Sequence, residues 1–278
     1  MTSADLPANL RVLSSLAQDT EGFDVTADRA MDALARAEDA HFWHRTRNEM
    51  VRDRLIALGF SPPARVLDLG CGGGCVAAYL DAQGYRVTGV EGHVSLATLA
   101  ARRAPKASFF AHDLSLGIDA LAQAVELEVD VAGLFDVIEH LDSPKIALSS
   151  ALSTVRRGGV LVGTVPALMG LWSQVDVQAG HKIRYNRATL ETLLASVEGA
   201  ELVECGYFNR LLVPMMWAQR RVVIRDDVGS TSESNLAVPP KPINQALHAL
   251  LRAEHRIEKW LDRTPISGAS LWFALRRR

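Results

Sequence analysis

The apolar and polar positions of the chain fall into two alternating kinds of segment. Residues 5–60 read as amphipathic helix, and from Met31 the chain meets neither Gly nor Pro until Gly59. "FSPPARVLDLG" then turns into a strand at 65–69. Short β-rich runs follow at 86–91, 107–112, 129–137 and 159–166. Between them lie helical periods. Leu148, Ala151, Leu152 and Val155 keep i, i+3, i+4, i+7 spacing, with Ser143 and Pro144 as start and Gly158 as stop. Leu190, Leu193, Leu194 and Val197 repeat that spacing up to Gly199. Such alternation predicts an α/β fold, a Rossmann-like doubly wound sheet with strands in parallel.

The last part reads differently. A strand at 201–208 leads into the apolar stretch "RLLVPMMWAQRRVVI" and then a polar, Pro-containing loop near 226–240. A long helix over roughly 243–263 precedes a final strand, "ASLWFALRRR". The organisation expected is an N-terminal helical cap (1–60), a core (61–210), a helical insertion or lid (211–265) and a last core strand (266–278). The apolar stretch reads first as a cover for a cleft. Contact with a membrane is the less favoured reading, because Pro214 interrupts the helix.

The candidate chemistry lies where strands end. Gly70, Gly72 and Gly74 follow the first core strand and open a helix, so the backbone can turn tightly and approach a ligand. Cys75 stands where a dinucleotide loop would have Gly or Ala, which favours an anchor for a ligand without phosphates. Asp68, Glu91 and Asp113 each end one of three successive strands, and together they outline a nucleoside-sized cleft. A carboxylate at Glu91 suits ribose hydroxyls.

The stretch from Ala64 to Pro166 resembles the class I S-adenosylmethionine-dependent methyltransferases, through "VLDLGCGGG", "VTGVE", "AHDL", "FDVIEHL" and "RRGGVLVGTVP". The resemblance implies a seven-stranded sheet with an antiparallel last strand, and S-adenosylmethionine as cofactor with S-adenosylhomocysteine as product. It implies that Asp68, Gly70, Cys71, Gly72 and Gly74 hold the methionine part. Glu91 and Gly92 would hold the ribose, Asp113 and Leu114 the adenine, and Phe135, Asp136 and Val137 the region near the methyl group. "EDAHFWHRTRN" and "QAGHKIRY" resemble a bacterial small-molecule subgroup with ubiquinone-methyltransferase-like motifs, although Ile183 replaces its usual first Arg. That departure leaves an anion-binding role to Lys182 and Arg184.

Methyl transfer needs mainly orientation and desolvation, with a base only for a protonated, weakly nucleophilic acceptor. His140, His181 and Tyr185 are the candidate bases. Trp43 and Arg47 share a helix face, Trp43 to roof the pocket and Arg47 to reach the cofactor carboxylate. Trp172, Asp176 and Arg184 are the candidate acceptor contacts. A divalent metal is disfavoured; were one bound, Asp136, Glu139 and His140 on one helix face, joined by His181, would be its ligands, as in the acid-x-x-Glu-His cluster of some relatives.

Composition narrows the partners. Thirty Lys and Arg stand against 32 Asp and Glu, so no basic field favours nucleic acid. The acceptor expected is a small molecule, free or carried by a lipid, peptide or carrier protein. Three cysteines make no disulfide framework and point to the cytoplasm. The competing readings are a NAD-dependent oxidoreductase and a catalytically silent partner subunit of the same fold.

Overall fold

The computed structural model describes residues 6–14, 28–117, 128–223 and 238–278. The chain runs β1 (Leu10–Val12), α1 (Asp28–Ala40), α2 (Phe42–Ala57), β2 (Arg65–Leu69), α3 (Cys75–Ala82), β3 (Arg86–Glu91), α4 (Val94–Arg103), β4 (Ser108–Ala111) and β5 (Val129–Phe135). It continues with α5 (Pro144–Ser153), β6 (Val155–Pro166), α6 (Gln174–Gln178), α7 (Arg187–Ala195), β7 (Ala200–Phe208), α8 (Val213–Val223), α9 (Lys241–Leu261) and β8 (Ser270–Arg277).

Eight strands form one sheet in the order β1-β4-β3-β2-β5-β6-β8-β7, where the sequence predicts seven. The first six in that order are mutually parallel. β8 returns antiparallel between β6 and β7, as the expected last strand does. The additional strand is β1, within the segment read as helical cap. Asn9 fixes it there by donating to the carbonyls of Ala101, Ala104 and Ala107. A single side chain that closes the end of α4 outweighs the helical appearance of the segment. Residues 15–27 of that segment lie outside the described residues.

Both faces of the sheet are buried, which is why its strands read as continuous apolar runs. Met50, Val51 and Leu55 of α2 pack on one face together with α3 and α4. Leu148, Leu152, Leu190 and Leu194 of α5 and α7 pack on the other. α5 starts at Pro144 as expected but stops at Ser153, short of Gly158. Val155 is fully buried and pairs with Val129, so the sheet claims the residues that periodicity gave to the helix. Gly158 instead turns within β6 at φ +78°.

α8 and α9 lie between β7 and β8, where an insertion is expected. Trp217 of α8 leans on Gly170, in the segment that follows β6. α9 runs against α2: Asn244 accepts from the Phe42 amide and donates to the Ala40 carbonyl, spanning the break between α1 and α2. Residues 226–237 of the expected loop lie outside the described residues, and 238–240 lead directly into α9.

Candidate active site

The cleft forms at the carboxyl ends of β2, β3, β4 and β5, the edge where open α/β sheets bind ligands. The Gly70 and Cys71 amides donate to the Val90 carbonyl, tying the glycine loop to β3. Gly74 sits at φ +78° before α3, and a Cβ there would meet Ala100 at 2.7 Å. Only glycine satisfies both the left-handed turn and the close approach of α4.

Glu91 holds the loop from the other side. Its Oε2 accepts from the Gly72 amide at 2.9 Å and its Oε1 from the His93 amide at 3.0 Å. Asp68 is buried, and its Oδ2 meets no hydrogen-bond partner among the described residues. Burial pushes its carboxyl up to about 7; the Arg47 charge opposes the shift and Glu91 adds to it. An orphaned carboxylate oxygen beside a glycine loop fits a cationic amino group of a ligand. Asp113 follows β4, its amide accepted by Ser14 Oγ, at the β1 side of the cleft.

Asp136 does not stand on a helix face with Glu139 and His140. It adopts φ +58° at the end of β5, and only one short helical turn, Ile138–His140, follows. Its carboxylate turns toward α2: Oδ2 pairs with Arg47 at 2.7 Å, and Oδ1 accepts from Thr164 at 3.0 Å. Arg47 therefore meets a protein carboxylate here. Thr164, near the carboxyl end of β6, is a site residue that the sequence pattern does not single out, because it reads as an ordinary strand position. Trp43 packs with Met216 and Leu247 around Phe42, Leu212 and Leu251, at the junction of α2, α8 and α9.

The sequence places the ionisable groups of "FDVIEHL" at the rim. Glu139 instead is fully buried, with neither carboxyl oxygen partnered among the described residues. Burial, with Asp136 adding to it, pushes Glu139 well above the usual carboxylate range. The loop after β6 reaches back over it, and the Lys182 amide donates to the Glu139 carbonyl at 2.8 Å.

That loop carries a histidine–aspartate pair. Asp176 accepts from His181 Nδ1 at 3.0 Å and from Arg184 Nε at 2.6 Å. Burial alone would raise the Asp176 carboxyl, but His181 and Arg184 outweigh it and hold it at about 2. An ionised carboxylate only accepts, so His181 carries a proton on Nδ1. Nε2 lies 4.0 Å from Glu139 Oε1. The His140 ring stands edge-on to His181 at 4.9 Å, its Nδ1 donating to the Gly180 carbonyl at 3.3 Å.

The arrangement sets several of the expected residues against other protein groups. Asp176 and Arg184 are buried against each other, Arg184 also donates to the Ala167 carbonyl, and Asp176 holds His181. Lys182 pairs with Asp142 at the exposed surface, whereas Arg184 pairs with the buried Asp176. Tyr185 is buried, its hydroxyl pushed up to about 12 by burial and then by Glu139. Trp172 is half-buried after the Met169–Leu171 turn.

The donors also test the expected metal cluster. Ligand atoms of Glu139, His140 and His181 lie within 4.8 Å of one another. Asp136 is turned away onto Arg47 and Thr164. The four-residue set thus narrows to three.

Residues 42–204 match the family described as the methyltransferase domain, and the chain belongs to that family. The match runs from α2 into β7 and so contains the glycine loop, Glu91, Asp113, Asp136 and His181. A ubiquinone biosynthesis O-methyltransferase of Xanthomonas axonopodis pv. citri (strain 306) is 30% identical over 146 residues, 50% of this chain and 56% of the relative. A malonyl-[acyl-carrier protein] O-methyltransferase of Pseudescherichia vulneris is 30% identical over 175 residues, 60% of this chain and 66% of the relative. The chain spans about half the length of the ubiquinone-pathway relatives. Among solved structures, a SAM-dependent methyltransferase from Archaeoglobus fulgidus shares the fold, with TM-score 0.51, 19% identity, and coverage of 83% of this chain and 94% of that one.

Proposed function

We propose that this protein is an S-adenosylmethionine-dependent methyltransferase acting on a hydroxyl oxygen of a small acceptor, free or attached to a carrier or lipid. Bound S-adenosylmethionine supplies an electrophilic methyl group. Asp68 takes the cofactor's ammonium, the Gly70–Gly74 loop takes its methionine backbone, and Glu91 and Asp113 take ribose and adenine. Arg47 holds Asp136 at the wall beside the reacting centre.

The observation that carries the choice of acceptor is the Asp176–His181 pair. Asp176 fixes the tautomer, so Nε2 of His181 is ready to take a proton. A carboxylate acceptor is already ionised and needs no such group, whereas a hydroxyl does. As the acceptor oxygen gains the methyl group, its proton passes to Nε2, and the Asp176 charge stabilises the imidazolium that results. The two O-methyltransferase relatives support an oxygen acceptor. The loop's departure from the dinucleotide pattern, with Cys75 in place of Gly or Ala, disfavours the oxidoreductase reading. The decisive experiment has two parts: calorimetry with S-adenosylmethionine and NAD, and an acceptor screen with mass detection of the methylated product. Tight NAD binding without S-adenosylmethionine binding sinks the proposal. Binding without turnover of any hydroxyl acceptor leaves the silent-subunit reading.

One observation favours a second reading of the base. The orphaned Glu139 oxygens beside two imidazoles suit a divalent cation held by Glu139, His140 and His181. Elemental analysis of the purified protein, with turnover before and after EDTA, separates the two readings.

A further inference from the structure

The segment around β1 is tied down at both ends. Asn9, at the amino end, closes the end of α4 and serves the fold. Ser14 lies at the other end, where the Leu13 and Ser14 amides both donate to the Ala111 carbonyl at the carboxyl edge of β4. There it joins a chain of hydrogen bonds around His112. The His112 amide donates to the Glu91 carbonyl at 2.9 Å. His112 is 1% exposed, and its Nε2 lies 2.7 Å from the Gly117 carbonyl. A carbonyl only accepts, so Nε2 carries a proton. Nδ1 lies 2.9 Å from Ser14 Oγ, which accepts from the Asp113 amide at 3.1 Å. In the neutral ring, Nδ1 is then the acceptor for the Ser14 hydroxyl. The Leu116 and Gly117 amides donate to the Asp113 and Leu114 carbonyls and close the short turn Leu114–Leu116. Asp113 and Leu114 are half-buried on this turn.

We propose that Ser14 and His112 are positioning residues for the adenosyl half of the cofactor. The inference rests on the reading above in which Asp113 takes adenine. His112 spans the loop from its start, at Glu91, to its end, at Gly117. Ser14 holds the Asp113 amide from a segment that lies outside the family match, which begins at residue 42. Folding alone accounts for Asn9, because the carbonyls that end a helix need donors. It does not account for a buried imidazole at the mouth of the cleft. An apolar side chain would fill that place without the desolvation cost of two ring nitrogens. Here that cost is offset by hydrogen bonds that fix both ends of one loop. Such bonds shape the loop without touching the ligand. Their effect therefore falls on the choice of base, and not on the methionine half that Asp68 and the glycine loop take at the end of β2.

The test is calorimetry of the full chain with S-adenosylhomocysteine and with S-inosylhomocysteine, which differs from it in the base alone. The protein is expected to prefer the adenosyl ligand. Ser14→Ala and His112→Phe should each reduce that preference at least about threefold, as the loss of one or two hydrogen bonds implies. Ser14→Thr, which keeps the hydroxyl, should restore it. Asp68→Asn should weaken both ligands alike and leave the preference unchanged, since it acts on the methionine half. Thermal melting shows which variants are folded; should His112→Phe fail to fold, Ser14→Ala decides alone. An unchanged preference in Ser14→Ala, with both affinities kept or lowered equally, overturns the inference and leaves the cofactor reading standing. A protein that binds neither ligand, or both equally, overturns the adenine reading of this loop and the inference with it.

Discussion

Arg47, in the middle of α2, forms a 2.7 Å ion pair with Asp136, the residue in left-handed conformation at the end of β5. The contact joins the N-terminal helices to the central strand edge and closes one side of the cleft. Arg47 is 11% exposed and Asp136 31%, so the pair is only partly screened by water. Asp136→Ala leaves the Arg47 charge without its partner and should cost about 2 kcal/mol, less than the loss for a fully buried pair. Denaturant melts of both single variants and the double variant measure the coupling. A double variant no less stable than Asp136→Ala alone is the expected result.

Asp68 gives a pH signature to cofactor binding. Burial raises its free-state value to about 7, above that of the unfolded chain, so ionising it costs stability as pH rises through about 7. A cationic ligand group needs the ionised form. Affinity for S-adenosylmethionine should therefore climb between about pH 6 and about pH 8. Asp68→Asn should weaken binding at least about tenfold and flatten this climb. Calorimetry across that range checks both expectations.

Removing the proposed base should separate chemistry from binding. His181→Gln is expected to lower kcat by about 10² to 10⁴ while leaving S-adenosylmethionine affinity unchanged. Asp176→Asn removes the carboxylate that fixes the tautomer and holds Arg184, so it should lower both kcat and the melting temperature. A His181 variant of full activity on the preferred hydroxyl acceptor would reject the base assignment.

Acid stability depends on His44. Burial, and then the Arg47 charge, lower its ring to about 3 from an ordinary value of 6.5. The fold thus favours the neutral ring. Its contribution is complete above 6.5 and is lost as pH falls toward about 3. The melting temperature should begin to fall below about pH 6, and His44→Gln should remove that part of the decline. Thermal melts at stepped pH give the answer.

Gly74→Ala places a Cβ 2.7 Å from Ala100 at a φ of +78°. The left-handed conformation and the clash together should cost about 3 kcal/mol and abolish cofactor binding. Gly72→Ala, whose added Cβ meets nothing within 4 Å, is the control for strain without a clash.

The central strands and the glycine loop were legible in the sequence because each is encoded locally. A buried parallel strand is a continuous apolar run, and a loop that must turn left-handed needs glycine. What resisted reading was set by long-range partners. Asn9 captures three carbonyls about ninety residues away, which turns a helical-looking segment into an edge strand. The spacing of Asp136, Glu139 and His140 suggests one helix face. The chain leaves helical geometry at Asp136 because Arg47 and Thr164 hold that carboxylate from other elements. Asp176 and Arg184 read as polar loop residues suited to an acceptor, and only the folded loop shows that they are turned on each other.

Asn244 ties the start of α2 from a distance of 202 residues, and β8, near the end of the chain, lies inside the sheet between β6 and β7. During synthesis the ribosome must therefore deliver Asn244 before α2 gains that support, and β8 before the sheet closes. A nascent chain halted before Asn244 would expose the flank of β6 and an unanchored α2.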